Sequence, residues 1–187
     1  FSDYIYLRNT GLVYNPEECA GAVVCGPDVA DEGPPVLVYT QQDALFRGVE
    51  AELNVPLWSD SQSAFSIDLY GDYIRATLEE SDEDVPRMPP AQIGARFNFD
   101  VRSWSGFVRV HHGFEQDNPG LNETPTAAYT RVDAGVFYSI ERPGNSWQLF
   151  LKGNNLGNAE IRNSTSYLRN FAPEPGRGVE LGFSLAF

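Results

Sequence analysis

His111 and His112 are the only imidazoles in the chain, and Glu115 follows close behind them. Neutral imidazole with carboxylate suits zinc or another divalent transition metal. On an extended backbone, adjacent side chains point to opposite faces, so the two histidines cannot share one ion unless the strand bulges or ends there. Alternation puts Arg109, His111, Gly113 and Glu115 on one face and Val108, Val110, His112 and Phe114 on the other. A zinc site needs three or four ligands, so His111 and Glu115 would require more from neighbouring loops, with Asp82 and Asp84 as candidates. The other reading is a hydrogen-bonded histidine pair that holds no ion. Asp82-Glu83-Asp84 lacks the glycine and spacing of a calcium-binding helix–loop–helix site. The chain contains no Gly-x-Ser-x-Gly elbow and no His-Glu-x-x-His sequence, so no catalytic residue is assigned and no enzyme is expected. No cofactor is required; a divalent metal such as zinc is the ion these groups would hold.

Charge sharpens this reading. The 187 residues hold 13 Lys and Arg against 26 Asp and Glu, a formal net charge of −13. That balance argues against nucleic acid, whose phosphates need basic partners. Segment 15–36 holds Glu17, Glu18, Asp28, Asp31 and Glu32 with no base. Segment 79–89 sets Glu79, Glu80, Asp82, Glu83 and Asp84 against Arg87, and 115–124 adds Glu115, Asp117 and Glu123, unopposed. Three segments thus carry −12 of the −13. Such a surface attracts cations; the bland alternative is a solvated, repulsive face.

The elements that must position these residues read as strands. At the C-terminus Val179, Leu181, Phe183, Leu185 and Phe187 alternate with Gly178, Glu180, Gly182, Ser184 and Ala186. Strict period two is a strand with one oily face. A carboxylate and two glycines on the other face fit a transmembrane β-barrel, with lipid outside and water or protein inside. Similar alternation runs through 49–57, 65–69, 91–99 and 132–140. No apolar run reaches the ~18 residues of a membrane helix.

A soluble sandwich would alternate in the same way, so the connections have to separate the two. Eight strands are expected, over 1–14, 37–58, 63–78, 90–100, 104–115, 125–141, 146–156 and 176–187. Connections 59–62, 101–103 and 142–145 are short, whereas 15–36, 79–89, 116–124 and 157–175 are long. Loops sorted by end are expected of an outer-membrane barrel, with short periplasmic turns and long extracellular loops. Trp58, Trp104 and Trp147 all sit beside the short turns, where indoles favour the membrane boundary. Trp104 and Trp147 have lipid-face parity; Trp58 has the other, which reads as a lumen or turn residue. Cys19 and Cys25, the only cysteines, then fall in an oxidising extracellular loop and are expected to form a disulfide. Five residues separate them, wider than the usual two to four between paired zinc cysteines. The chain opens inside a strand without a signal segment, which reads as a piece of a longer protein.

With these elements in place, the chain resembles the C-terminal portion of the TonB-dependent outer-membrane receptors of Gram-negative bacteria. The matching stretches are Ile5-Tyr6, Phe46-Arg47-Gly48-Val49-Glu50-Ala51-Glu52-Leu53, Gly71-Asp72-Tyr73 and Val85-Pro86-Arg87-Met88-Pro89-Pro90. Further along come Lys152-Gly153-Asn154-Asn155-Leu156 and Pro175-Gly176-Arg177 before the terminal strand. The resemblance implies that residues 1–187 supply about eight C-terminal strands of a barrel of about 22 strands around a plugged lumen. The plug domain and the N-terminal strands are absent from this chain. It further implies import of a scarce nutrient, energised by TonB through that missing plug region. Outer-membrane lipid and lipopolysaccharide would surround the wall. Phe187, with Leu185 and Phe183, would form the signal read by the barrel-insertion machinery. The acidic loops, adjacent histidines and cysteine loop look most like the zinc-uptake branch, with siderophores and cobalamin as alternatives. A self-contained eight-stranded structural or adhesion barrel remains the reading from another class.

Overall fold

Side chains that alternate apolar and polar favour a pleated backbone, and here they build an all-β, antiparallel wall. The computed structural model describes residues 1–14 and 35–187. Nine strands occur among them: β1 (Tyr4–Val13), β2 (Pro35–Gln42), β3 (Ala44–Ser59), β4 (Ser63–Leu78), β5 (Gln92–Val101), β6 (Trp104–Gly113), β7 (Tyr129–Arg142), β8 (Asn145–Asn154) and β9 (Gly178–Ala186). β3 to β9 form one seven-stranded sheet in sequence order, and β1 pairs only with β2. β3 and β9 each have one neighbour among the described residues, so these strands do not close into a small barrel.

The single strand expected over 37–58 is interrupted at Asp43. Its carbonyl accepts from Glu79 N at 2.9 Å, and its Oδ1 accepts from Asp3 N at 2.8 Å. Asp43 is thus the junction: its carbonyl carries the β3–β4 ladder one step past Ala44–Leu78, its carboxylate holds the start of β1, and β2 turns off with β1 as a separate ribbon. Where this ribbon meets β3 and β4, Tyr6, Ala44, Ala76, Leu78 and Val85 form a buried apolar cluster, with Phe46 and Met88 against it.

Register divides the sheet into two faces. Val55, Ile67, Phe97, Val108 and Ala134 lie opposite one another in succession across β3 to β7. One residue along, Ser66, Asn98, Phe107, Gly135, Lys152 and Glu180 form the polar row of the other face. Val179, Leu181 and Phe183 stay 70%, 78% and 70% exposed on the apolar face, which is the lipid side of a barrel. Glu180 is on the opposite row, so the register expected of the last strand holds.

The short connections end the strands at one end of the sheet. In the first, Asp60 Oδ1 accepts from Gln62 N at 2.7 Å and Ser63 N at 2.8 Å, and Oδ2 accepts from the Trp58 indole at 3.1 Å. The parity that put Trp58 on the lumenal row fails here. A bulge between Pro56 and Trp58 brings Trp58 into register with Phe65, an apolar-face residue. Trp104 stacks at a tilt on Tyr138, with centroids 4.7 Å apart, as an interfacial aromatic pair.

Two outcomes follow from this architecture. Phe97→Arg is expected to cost about 2–4 kcal/mol in reversible unfolding from lipid, whereas Asn98→Arg, on the polar row beside Asp68, costs well below that. The Gln62 backbone N–H, then the Trp58 indole, hold the exposed Asp60 carboxyl below its ordinary value of 3.8. A depressed folded value means the contribution is fully present above 3.8 and is lost as pH falls through the lower, folded value. Protection factors at Gln62 and Ser63, which remove the intrinsic pH dependence of amide exchange, should therefore be constant between neutral pH and mild acid and should fall only below 3.8. Asp60→Ala should show the lowered protection at every pH.

Candidate functional site on the polar face

Three features stand out on the polar face and the long loops above it. The first is a shelf centred on His111. Tyr70 hydroxyl lies 3.4 Å from His111 Nδ1, and Tyr129 hydroxyl 3.3 Å from Nε2. Tyr70 on β4 reaches across β5 because Gly94 sits between; a Cβ there would lie 2.1 Å from the Tyr70 ring. His112 faces the other way and shares a 2.8 Å hydrogen bond with Thr130, as alternation requires.

Below the shelf is an ionic cluster on Asp133, which is only 2% exposed. Its carboxylate takes Arg109 Nε at 3.1 Å and Arg131 Nε at 2.9 Å, and accepts from Asn155 N at 2.8 Å. Arg131 also reaches Glu174 at 3.4 Å. Asn155 itself adopts φ 47, a left-handed conformation that asparagine tolerates. Its amide donates to Ala159 O and accepts from Ala159 N, both at 2.9 Å. The Asn154-Asn155 stretch is thus the turn that hangs the last long loop from β8. Further down, Arg96 donates to Asn98, and Asn98 to Asp68 at 2.7 Å.

The third feature ties the long loops together. Glu123, with a side chain only 4% exposed, pairs with Arg169 at 2.8 Å and Arg87 at 3.4 Å. Arg87 also donates to Leu7 O at 3.1 Å and lies 4.5 Å over the Tyr167 ring. Loops 79–91, 114–128 and 155–177 and strand β1 meet at this carboxylate. The expectation that 115–124 is unopposed is corrected here: Glu123 is neutralised by bases from two other loops. The net charge count could not reveal this, because Arg169 is 46 positions away in sequence.

The anticipated metal ligands are not brought together. β6 ends at Gly113, so strand alternation does not carry Glu115 onto the His111 row. Glu115 instead lines a small cleft with Asp84 and Arg75, and Asp84 pairs with Arg75 at 3.3 Å. Asp82 is exposed in the turn after β4, with φ 56. Among the described residues no three His, Cys, Asp or Glu side chains converge. Cys19 and Cys25 lie outside the described residues. Phe183, Leu185 and Phe187 occupy the apolar side of the last strand, Phe187 fully exposed. Sequence reasoning missed the Asp133 and Glu123 clusters. Arg131-Val132-Asp133 carried a period-two hint, but its partner Arg109 depends on register.

Chemically, the face offers guanidinium, phenol and imidazole groups to the interior, and carboxylates above it. Glu123→Ala leaves two largely buried guanidinia without their counterion, an event worth about 3–5 kcal/mol. Hydrogen exchange on the intact protein should show the three loops opening together rather than one alone.

Residues 1–156 match the family described as TonB dependent receptor-like, beta-barrel. Among solved structures the chain is similar to one named Copper transporter OprC, with a TM-score of 0.63 and 17% identity. That likeness covers 80% of this chain and 23% of the other, and at such identity it speaks to the fold.

Proposed function

We propose, from the premise that this chain belongs to the TonB dependent receptor-like β-barrel family, that it forms the C-terminal wall of an outer-membrane nutrient importer. The observation that carries this is the sorting of the sheet: a lipid-compatible apolar face, a charged inner face, and long loops gathered at one end. The full protein would include a plug and the remaining strands, and would draw energy from TonB through that region. The role is transport, not catalysis. Phe183, Leu185 and Phe187 would serve as the terminal insertion signal.

The cargo we assign is a divalent metal ion such as zinc. Acidic loops favour cation capture at the mouth, and His111 sits below them on the inner face. Because zinc needs three or four ligands, His111 would draw its co-ligands from groups outside the described residues, while Asp82, Asp84 and Glu115 would gather the ion at the loops. A metal-transporting protein of similar fold is compatible with that cargo. A second reading rests on the Arg109, Arg131, Tyr70 and Tyr129 groups around His111: they suit an anionic metal chelate of the siderophore type.

Titration of the full-length receptor distinguishes the two. Saturable zinc binding, weakened by His111→Ala and by amide replacements at Asp82, Asp84 and Glu115, is the expected result. No saturable zinc binding, with a ferric chelate bound by the unaltered receptor and released by Arg131→Gln, would transfer the cargo to the second reading. Uptake that persists without TonB would overturn the receptor reading itself.

A further inference from the structure

A charge arrangement on the lipid side is left over by the transport reading. Arg47 of β3 and Arg75 of β4 are direct register partners. They belong to the same face as Val49, Leu53 and Val55, because Leu45 opposes Thr77 and Val49 opposes Tyr73 on either side of them. Both arginines are exposed. Side chains directly opposite on an antiparallel pair have Cβ atoms about 4.5–5.5 Å apart, and like charges there repel. In a chain of net charge −13, two guanidinia have nonetheless been placed side by side.

Among the described residues, their surroundings neutralise them only in part. Arg75 Nε reaches Asp84 Oδ1 at 3.3 Å, with half of the Arg75 side chain exposed. Arg47 makes no ion pair among the described residues. One carboxylate between two guanidinia leaves a unit of positive charge. The two arginines also line a cavity of about 360 Å³, whose other walls are Leu45, Tyr73 and Thr77. All five residues alternate onto the outward face. The cavity therefore opens toward the membrane and not toward the lumen.

Height fixes which part of the membrane it meets. Trp58 marks the turn end of β3, and Arg47 stands eleven residues up the same strand. At about 3.3 Å per residue and a tilt of about 35–45°, that is about 26–30 Å. The apolar band of such barrels is about 25 Å tall, so Arg47 and Arg75 emerge just above its outer edge. Tyr73, half exposed one step below, has the position of an interfacial aromatic residue. Guanidinium offers paired donors that match phosphate oxygens bidentately, and Thr77 adds a hydroxyl.

We propose that Arg47 and Arg75 form a site for the phosphate groups of an outer-leaflet glycolipid, with its acyl chains lying along the apolar face below. The site is independent of which nutrient crosses the lumen. It holds a structural lipid on the wall at the β3–β4 hairpin. Arg75 is shared between that phosphate and Asp84, which couples the lipid to the loop after β4.

The test uses the full-length receptor in phosphatidylethanolamine vesicles carrying bisphosphoryl lipid A, with binding read by native mass spectrometry. Removing one charge-assisted hydrogen-bonding group weakens binding about tenfold, so Arg47→Gln/Arg75→Gln should bind about a hundredfold more weakly. Lipid A stripped of phosphate should bind the unaltered receptor as weakly as the double variant binds the phosphorylated lipid. Equal lipid binding by variant and unaltered receptor would overturn the proposal, and so would equal binding of phosphorylated and dephosphorylated lipid. Inorganic phosphate alone binding as tightly as the lipid would reduce the site to a free-anion site and overturn it too. Heat-modifiable electrophoretic mobility reports folding of the barrel. Should the double variant not fold, Arg47→Gln alone, which leaves the Arg75–Asp84 pair intact, carries the test with binding about tenfold weaker.

Discussion

In hydrocarbon an unpaired backbone N–H or C=O costs several kcal/mol, since no water is present to replace the missing partner. A wall made of strands must therefore pair each strand on both sides. In the seven-stranded sheet the inner strands β4 to β8 meet that condition from within the chain, and β3 and β9 meet it on one side only. A membrane would demand partners for those two edges. The same ladder fixes the register, and the register fixes which residue meets lipid. A slip of one residue would exchange Phe97 for Asn98 and Glu180 for Leu181. Sorting of the two faces is thus a consequence of backbone pairing, enforced by the solvent on either side.

Once register is set, the inner face has to solve its own electrostatics. Asp133 is almost fully buried, yet two arginines and a backbone amide satisfy its oxygens. Asp68 is matched by Asn54 and Asn98. Large rings are accommodated by absent side chains: Tyr70 occupies the space over Gly94, and Phe150 the space over Gly182. Arg96 lies 4.1 Å over the Phe107 ring, covering apolar surface with a cation that still presents donors inward. The polar face is a pre-paired surface, on which a ligand competes with existing partners instead of meeting bare charges.

The strands were readable because period two and the sorted loops are local properties of the chain. Alternation placed Val179 to Phe187 correctly, and His111 and His112 on opposite faces. What escaped depends on residues far apart in sequence. The expected 37–58 strand divides at Asp43, where the backbone passes from pairing with β1 to pairing with β4 and the Asp43 carboxylate holds Asp3. The bulge before Trp58 displaces its parity by one position, and nothing in Pro56-Leu57-Trp58 alone requires it. The end of β6 at Gly113 separates Glu115 from the His111 row. Glu123 looked like a free surface acid, although its counterions come from two other loops. Loop packing is a tertiary property, and composition reports only its sum.

That distinction between sum and placement bears on how such a wall could handle cargo. A net charge of −13 suggests a uniformly acidic molecule, yet Arg96, Arg109, Arg131 and Lys152 line the inner face, and Arg47 and Arg75 stand on the outward face. The acids left unpaired in the described loops, such as Glu79, Glu80, Asp82 and Asp117, project from the loop end. At physiological ionic strength their field decays over about 8 Å. It can enrich cations at the mouth but reaches little of the face around Arg109 and Arg131. In the importer proposed above, gathering and discrimination would be physically separate: long-range attraction would act at the loops, and short-range hydrogen bonding at Tyr70, His111, Tyr129 and the arginines would act below. The Glu123 knot lies between these two layers and ties the loops to β1. A ligand that disturbs it changes the loops' position over the shelf, and one that leaves it intact meets a preformed rim.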